Sequence, residues 1–177
     1  MTLSSNRRQE MLRVDHAGEF GAVAIYRGQL AVFERQHGKD RIVGQLREMA
    51  EQEQVHLDAF DQMLAAGHVR PTALSPIWNA AGFALGVGTA LLGEKAAHAC
   101  TEAVETVIEE HYGDQVSELT EAGETELAAT MAKFQAEEVA HKDLATSEGA
   151  AQAPAYPLLS AAIRAGCRLA IRISEKV

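Results

Sequence analysis

Two short runs, Glu53-Gln54-Val55-His56 and Glu138-Val139-Ala140-His141, constrain what this 177-residue chain can fold into more than any other feature. Each follows a further glutamate at nearly the same distance, 34 residues after Glu19 and 33 after Glu105. The chain therefore reads as one unit used twice. A glutamate and a histidine three apart project from the same side of a helix, so what matters is whether that side faces the core.

The periodicity says that it does. From about Asn6 to Gln36, Leu12, His16, Glu19, Val23, Tyr26, Leu30 and Phe33 recur in steps of four and three, the inward stripe of a bundle helix. Gly38 supplies a stop and Asp40 a cap for a second helix, Asp40 to Ala66, whose stripe is Ile42, Leu46, Met49, Glu53, His56, Phe60 and Met63. Antiparallel helices bring together residues equidistant from their turn. Glu19 and Glu53 are centred on residue 36, beside Gly38, and should face each other. A fourth helix, running to about Tyr112, carries Leu91, Glu94, His98, Thr101, Glu105, Ile108 and Tyr112 in the same steps. A fifth, about Glu124 to Glu148, carries Leu127, Met131, Phe134, Glu138, His141 and Ala145, and Glu105 and Glu138 are centred next to Gly123.

Four glutamates buried together would repel one another and would each carry a heavy desolvation cost. Two divalent cations cancel their charge. Each Glu-x-x-His pair supplies two ligands, and Glu19 and Glu105 supply two carboxylates able to bridge, giving a metal set of Glu19, Glu53, His56, Glu105, Glu138 and His141. Mixed carboxylate and imidazole ligands with open positions suit iron or manganese more than structural zinc. The arrangement matches that of ferritin-like di-iron bundles, so the expected fold is all-α: a ferritin-like four-helix bundle with an apolar crossover helix and a C-terminal sixth helix. Asp58 and Asp143, two positions beyond each histidine, are candidates to orient a ligand on another helix, or are surface acids. Tyr26 and Tyr112 stand two turns beyond Glu19 and Glu105, with core packing the favoured role for Tyr26. His16 is expected to be a bundle-end core histidine.

Ile77 to Gly93 is an uncharged 17-residue segment, at the lower limit for a membrane span of about 20 residues. The favoured reading is a helix lying in the lipid surface or lining an apolar channel; an ordinary buried crossover is the other. Gly82 and Gly86 have a GxxxG spacing, suited to helix pairing, as in a homodimer, or to a tight crossover. In the last helix, Leu158 to Val177, Arg164, Arg168, Arg172 and Lys176 fall on one face opposite Leu159, Ile163 and Ile173. A basic amphipathic helix suits anionic lipid headgroups or a phosphate-bearing reductant, or pairs with an acidic bundle surface.

Composition narrows the class. Twenty-five acids against sixteen bases, a net charge of −9, argue against a nucleic-acid partner, which needs a basic footprint. Residues 1 to 177 are expected to form one domain. Cys100 and Cys167 are isolated thiols and the amino terminus, Met1 to Arg8, has no apolar signal stretch, which together suggest a reducing, cytosol-facing location. No GxGxxG turn after a strand provides a dinucleotide domain.

The stretches Arg13-Val14-Asp15-His16-Ala17-Gly18-Glu19-Phe20-Gly21-Ala22, Gly88-Thr89-Ala90-Leu91-Leu92-Gly93 and Ala153-Pro154-Ala155-Tyr156, with both Glu-x-x-His pairs, resemble the demethoxyubiquinone hydroxylase family of ubiquinone biosynthesis, from about Met11 to Glu175. The resemblance implies a peripheral membrane enzyme, here on the cytoplasmic face of the cell membrane. It implies a di-iron monooxygenase that inserts one oxygen atom of O2 into a quinone ring, with two electrons from an external donor, NADH or the reduced quinone. It assigns the same six ligands and adds Arg13, Tyr112 and Arg168 near substrate or reductant, a quinone channel beside the apolar helix, and accessory ubiquinone-biosynthesis proteins as partners. The rival classes are a ferritin-like iron-oxidising or storage protein, a rubrerythrin-like peroxide scavenger, which would bring cysteine pairs, and a non-catalytic lipid-binding scaffold.

Overall fold

In the computed structural model, which describes residues 3–176, six α-helices follow one another: α1 Ser5–Phe33, α2 Asp40–Ala66, α3 Ser75–Leu91, α4 Glu94–Ala122, α5 Thr125–Ser147 and α6 Tyr156–Ser174. A short 3₁₀ turn, Ala150–Gln152, precedes α6, and no strand occurs among the described residues. The chain is an all-α, ferritin-like bundle. Val177, included in the sixth helix expected from sequence, and Met1, included in the polar amino terminus, lie outside the described residues together with Thr2.

Two long hairpins, α1/α2 and α4/α5, form the bundle. Beyond the level of the four stripe glutamates, one end is filled by Met11, Leu12, Phe60, Leu64, Leu119, Met131 and Phe134. The other end is filled by Tyr26, Phe33, Ile42, Leu46, Met49 and Ala97. The polar cluster is thus sealed between two apolar plugs. At the first end, buried Asp15 on α1 accepts hydrogen bonds from His111 Nε2 at 2.9 Å and Gln115 Nε2 at 2.8 Å on α4, fixing the register of the two helices one turn from Glu19.

Several boundaries differ from the sequence expectation. Helix α4 runs ten residues past Tyr112, because its stripe continues through Gln115 and Leu119, both buried, and stops only where Gly123 takes a left-handed φ of 79°. Asp40 is not a cap: Lys39 holds that position without a side-chain bond, and Asp40 is the first helical residue, where its charge suits the helix dipole. Helix α1 stops at Phe33, short of Gln36. Helices α3 and α6 start earlier than expected because Pro76 and Pro157 are accommodated in their first turns.

Helix α3 packs against α1 at backbone contact. A Cβ on Gly86 would overlap the carbonyl oxygen of Ile25, and one on Gly28 would overlap that of Phe83. The GxxxG spacing therefore serves a crossing within the chain. The opposite side of α3 is bare, with Ile77 56% and Phe83 40% exposed, followed by Leu91 at 69% and Leu92 at 57%. Among the described residues no helix is long and apolar enough to cross a membrane. On α6, Arg164 and Arg168 are spent on Glu102 and Glu110 of α4, at 2.7 and 2.9 Å, while Arg172 and Lys176 are exposed.

Candidate metal centre

Each of the four bundle helices delivers its polar stripe residue to one level. Glu19 (α1), Glu53 and His56 (α2), Glu105 (α4), and Glu138 and His141 (α5) are all 3% exposed or less. Their atoms form two overlapping groups, Glu19–Glu53–His56–Glu138 and Glu53–Glu105–Glu138–His141, within which all ligand atoms lie inside 4.8 Å of one another. The carboxylates common to both are Glu53 and Glu138. The Glu-x-x-His glutamates are thus common to the two groups, while Glu19 and Glu105, to which the spacing argument gave a capacity to bridge, each belong to one group. Residues 53 and 138 lie on α2 and α5, which face each other across the centre with His56 and His141 between them, so their carboxylates sit between the two groups.

Distances support a shared centre. His56 Nδ1 is 2.9 Å from Glu138 and 3.6 Å from Glu19, and His141 Nδ1 is 3.1 Å from Glu53 and 3.2 Å from Glu138. Yet His56 Nδ1, His141 Nδ1, Glu53 Oε1 and both Glu138 oxygens have no partner of hydrogen-bonding geometry. Buried polar atoms are ordinarily satisfied. A set of lone pairs converging without bonding one another is what two divalent cations would complete, and the all-oxygen-and-imidazole donor set fits iron or manganese.

Without cations the charge is unbalanced. Burial, then the neighbouring Glu138 and Glu19, push the Glu53 carboxyl well above the usual range, and burial with Glu138 does the same to Glu105. Burial acts in that direction on Glu138 too, but close contact with His141 and His56 outweighs it and lowers its pKa. Burial alone would keep His56 neutral; contact with Glu138 and Glu19 instead pushes it up to about 10.

The tyrosines cross between hairpins. Tyr26 on α1 donates to Glu105 Oε1 at 3.0 Å, and Tyr112 on α4 donates to Glu19 Oε1. Tyr26 is therefore more than packing. Burial, then the adjacent carboxylate, raises both phenols well above their ordinary pKa, so each remains a donor.

Other expectations fare differently. Asp58 is exposed and bonds Gln54 of its own helix, and Asp143 is exposed; neither meets a histidine. The histidines are held instead by Glu137, 2.7 Å from His56 Nε2, and Gln52, 2.6 Å from His141 Nε2. The available signal was that both residues immediately precede a Glu-x-x-His glutamate. His16 pairs with Asp61 at 3.0 Å and stays outside the ligand groups. Arg13 is half-buried on α1 and Arg168 exposed on α6, both away from the ligand groups.

An apolar groove of about 520 Å³ runs along α1, α3, α4 and α6, lined by residues including Val14, Gly18, Trp78, Leu85, Ile108, Ile163 and Ile171. Three of its lining residues, Ala22, Ile25 and Val104, also line a small internal void walled by Tyr26, Thr101 and Glu105. The groove thus approaches the centre from the Glu105 side.

Residues 6–174 match the family model described as ubiquinone biosynthesis protein COQ7. The chain is 55% identical over 166 residues to the 3-demethoxyubiquinol 3-hydroxylase of Rhodospirillum rubrum, covering 94% of this chain and 76% of that protein. It is 45% identical over 183 residues to the mitochondrial NADPH-dependent 3-demethoxyubiquinone 3-hydroxylase of Bos taurus, covering 100% and 82%. It is 36% identical over 181 residues to the mitochondrial 5-demethoxyubiquinone hydroxylase of Saccharomyces cerevisiae, covering 94% and 77%. On the extent of these matches, the chain belongs to the COQ7 family of ubiquinone biosynthesis proteins.

Proposed function

We propose that this chain, whose described residues 3–176 fold as one domain, is a 3-demethoxyubiquinol 3-hydroxylase, a di-iron monooxygenase acting on the ring of a demethoxyubiquinone-type substrate. The observation that carries the reading is the meeting of a six-ligand buried cluster with an apolar groove. Family membership and the relatives' activities support the substrate class. The overall change is ring C–H plus O2, two electrons and two protons giving ring C–OH and water.

Glu19, Glu53, His56, Glu105, Glu138 and His141 would hold the two iron ions, which when bound supply the redox chemistry that activates O2. The remaining work belongs to the chain. Glu53 and Glu138, common to both ligand groups, would serve both positions, and Tyr26 and Tyr112 fix the outer carboxylates Glu105 and Glu19 by donating to them. The groove accepts an apolar prenylated ring, and the layer of Ala22, Ile25 and Val104 keeps bulk water from the Glu105 side. Arg168, beside Tyr156, Ser160 and Arg164 on the outer side of α6, is paired with the exposed Glu110 and would exchange that partner for the phosphate of a reductant, in keeping with the NADPH dependence in the bovine relative's name. Arg13 lies one turn from Ala17 at the groove and serves substrate or reductant, as does Tyr112 through Glu19. The bare side of α3 and the exposed Arg172 and Lys176 suit a peripheral position on the cytoplasmic face of the membrane, where a quinone tail would leave the groove for lipid.

Anaerobic reconstitution with ferrous iron, followed by O2, a two-electron donor and a short-tailed demethoxyquinone, should give product heavier by one oxygen atom in mass spectrometry. Rapid iron oxidation without that product under any donor would overturn the hydroxylase reading in favour of iron oxidation or storage.

A further inference from the structure

The two halves of the centre are matched in their ligands but not in what stands behind them. His56 and His141 each turn Nδ1 inward and Nε2 outward, and each Nε2 meets a residue from the opposite hairpin. For His56 that residue is a carboxylate, Glu137; for His141 it is an amide, Gln52. With Nδ1 on a cation, Nε2 carries the proton, and only an acceptor can face it. A carboxylate makes the stronger, charge-assisted bond, draws the proton outward and raises the donor strength of Nδ1. A neutral amide oxygen does so less. Of the other surroundings, Lys133 reaches Glu137 only at 3.8 Å as an exposed pair, each outer glutamate receives one tyrosine hydroxyl, and both positions share Glu53 and Glu138, so the difference stands.

We infer that Glu137 and Gln52 are positioning residues that make the two metal positions unequal, the Glu19/His56 position binding its cation more tightly than the Glu105/His141 position. This rests on the metal-centre reading above and goes beyond it. It places the weaker, more readily exchanged position on the side of the groove, because the void shared with the groove is walled by Glu105.

The test is anaerobic titration of the metal-free full chain with Co2+, followed by its visible absorption and by the hyperfine-shifted Nε2–H resonances, assigned with His56→Ala and His141→Ala. The wild-type protein should fill in two steps, the His56 resonance first, with the second step about tenfold or more weaker. Glu137→Gln should weaken the first step, and Gln52→Glu should strengthen the second, so that each alone brings the steps together. The exchange Gln52→Glu/Glu137→Gln should restore two steps with the His141 resonance appearing first. A purely structural role would not reverse the order. Simultaneous filling in the wild type, or an exchange variant that keeps the original order, overturns the inference; absence of any Co2+ binding overturns the metal-centre reading instead.

Discussion

The α1/α2 and α4/α5 hairpins solve the same problem with different coverings. Each brings one outer glutamate, one Glu-x-x-His pair and one tyrosine that reaches across to the other. The first is covered by α3, clamped onto α1 through glycines that leave no space between backbones. The second is covered by α6, which stands off enough to leave the groove and is tied to α4 by surface ion pairs. Duplication thus makes the centre, and the departure from duplication makes the way into it.

Removing a shared carboxylate should test that equivalence most severely. Glu53→Ala or Glu138→Ala should lose both metal ions and hydroxylation entirely, whereas Glu19→Ala or Glu105→Ala should retain close to one ion per chain, as measured by elemental analysis. Equal metal loss in all four variants would contradict the overlapping-group geometry. The coverings differ next. Gly86→Val should cost about 3 kcal/mol in denaturant unfolding, since the new side chain meets the Ile25 carbonyl. Gly166→Ala on α6, with nothing within 4 Å of its Cβ, should be neutral or gain roughly 0.5–1 kcal/mol from helix propensity.

The crossed tyrosines sharpen the comparison further. Tyr26→Phe and Tyr112→Phe each remove a donor to a buried carboxylate, a bond worth about 1.5–3 kcal/mol. Product formation should fall roughly tenfold or more in both, with Tyr26→Phe the more damaging because Tyr26 also walls the void beside the groove. The smallest effect is on pH. In the metal-free protein His56 is raised to about 10 and Glu53 and Glu105 are raised, so the folded state holds more protons than the unfolded one. Their stabilisation is therefore lost as pH climbs, with the His56 share disappearing between about 6.5 and 10. Thermal unfolding of the metal-free protein should shift downward across that window, and the shift should shrink when both positions are loaded.

The ligand level was legible in sequence because a helix converts spacing into direction: an acid on an apolar stripe must enter the core, so Glu19, Glu53, Glu105 and Glu138 announced themselves. Which carboxylates are shared was not legible, since that depends on how α2 and α5 face each other and on side-chain reach. Gln52 and Glu137 escaped for a related reason. They sit at the edge of the stripe, where a polar residue looks solvated until a partner from another helix comes within bonding distance. The α4 boundary was less legible because the run after Tyr112 is mostly polar, although the buried Gln115 and Leu119 carry the helix onward.

The glycine crossing has a mechanical corollary. Gly21, whose carbonyl meets Gly82, lies only two residues from Glu19, and no compliant side chain intervenes to absorb strain. A lateral push on the outermost apolar rod is therefore transmitted directly to the rod bearing an outer carboxylate, making the protein's oily exterior and its innermost acid parts of a single lever.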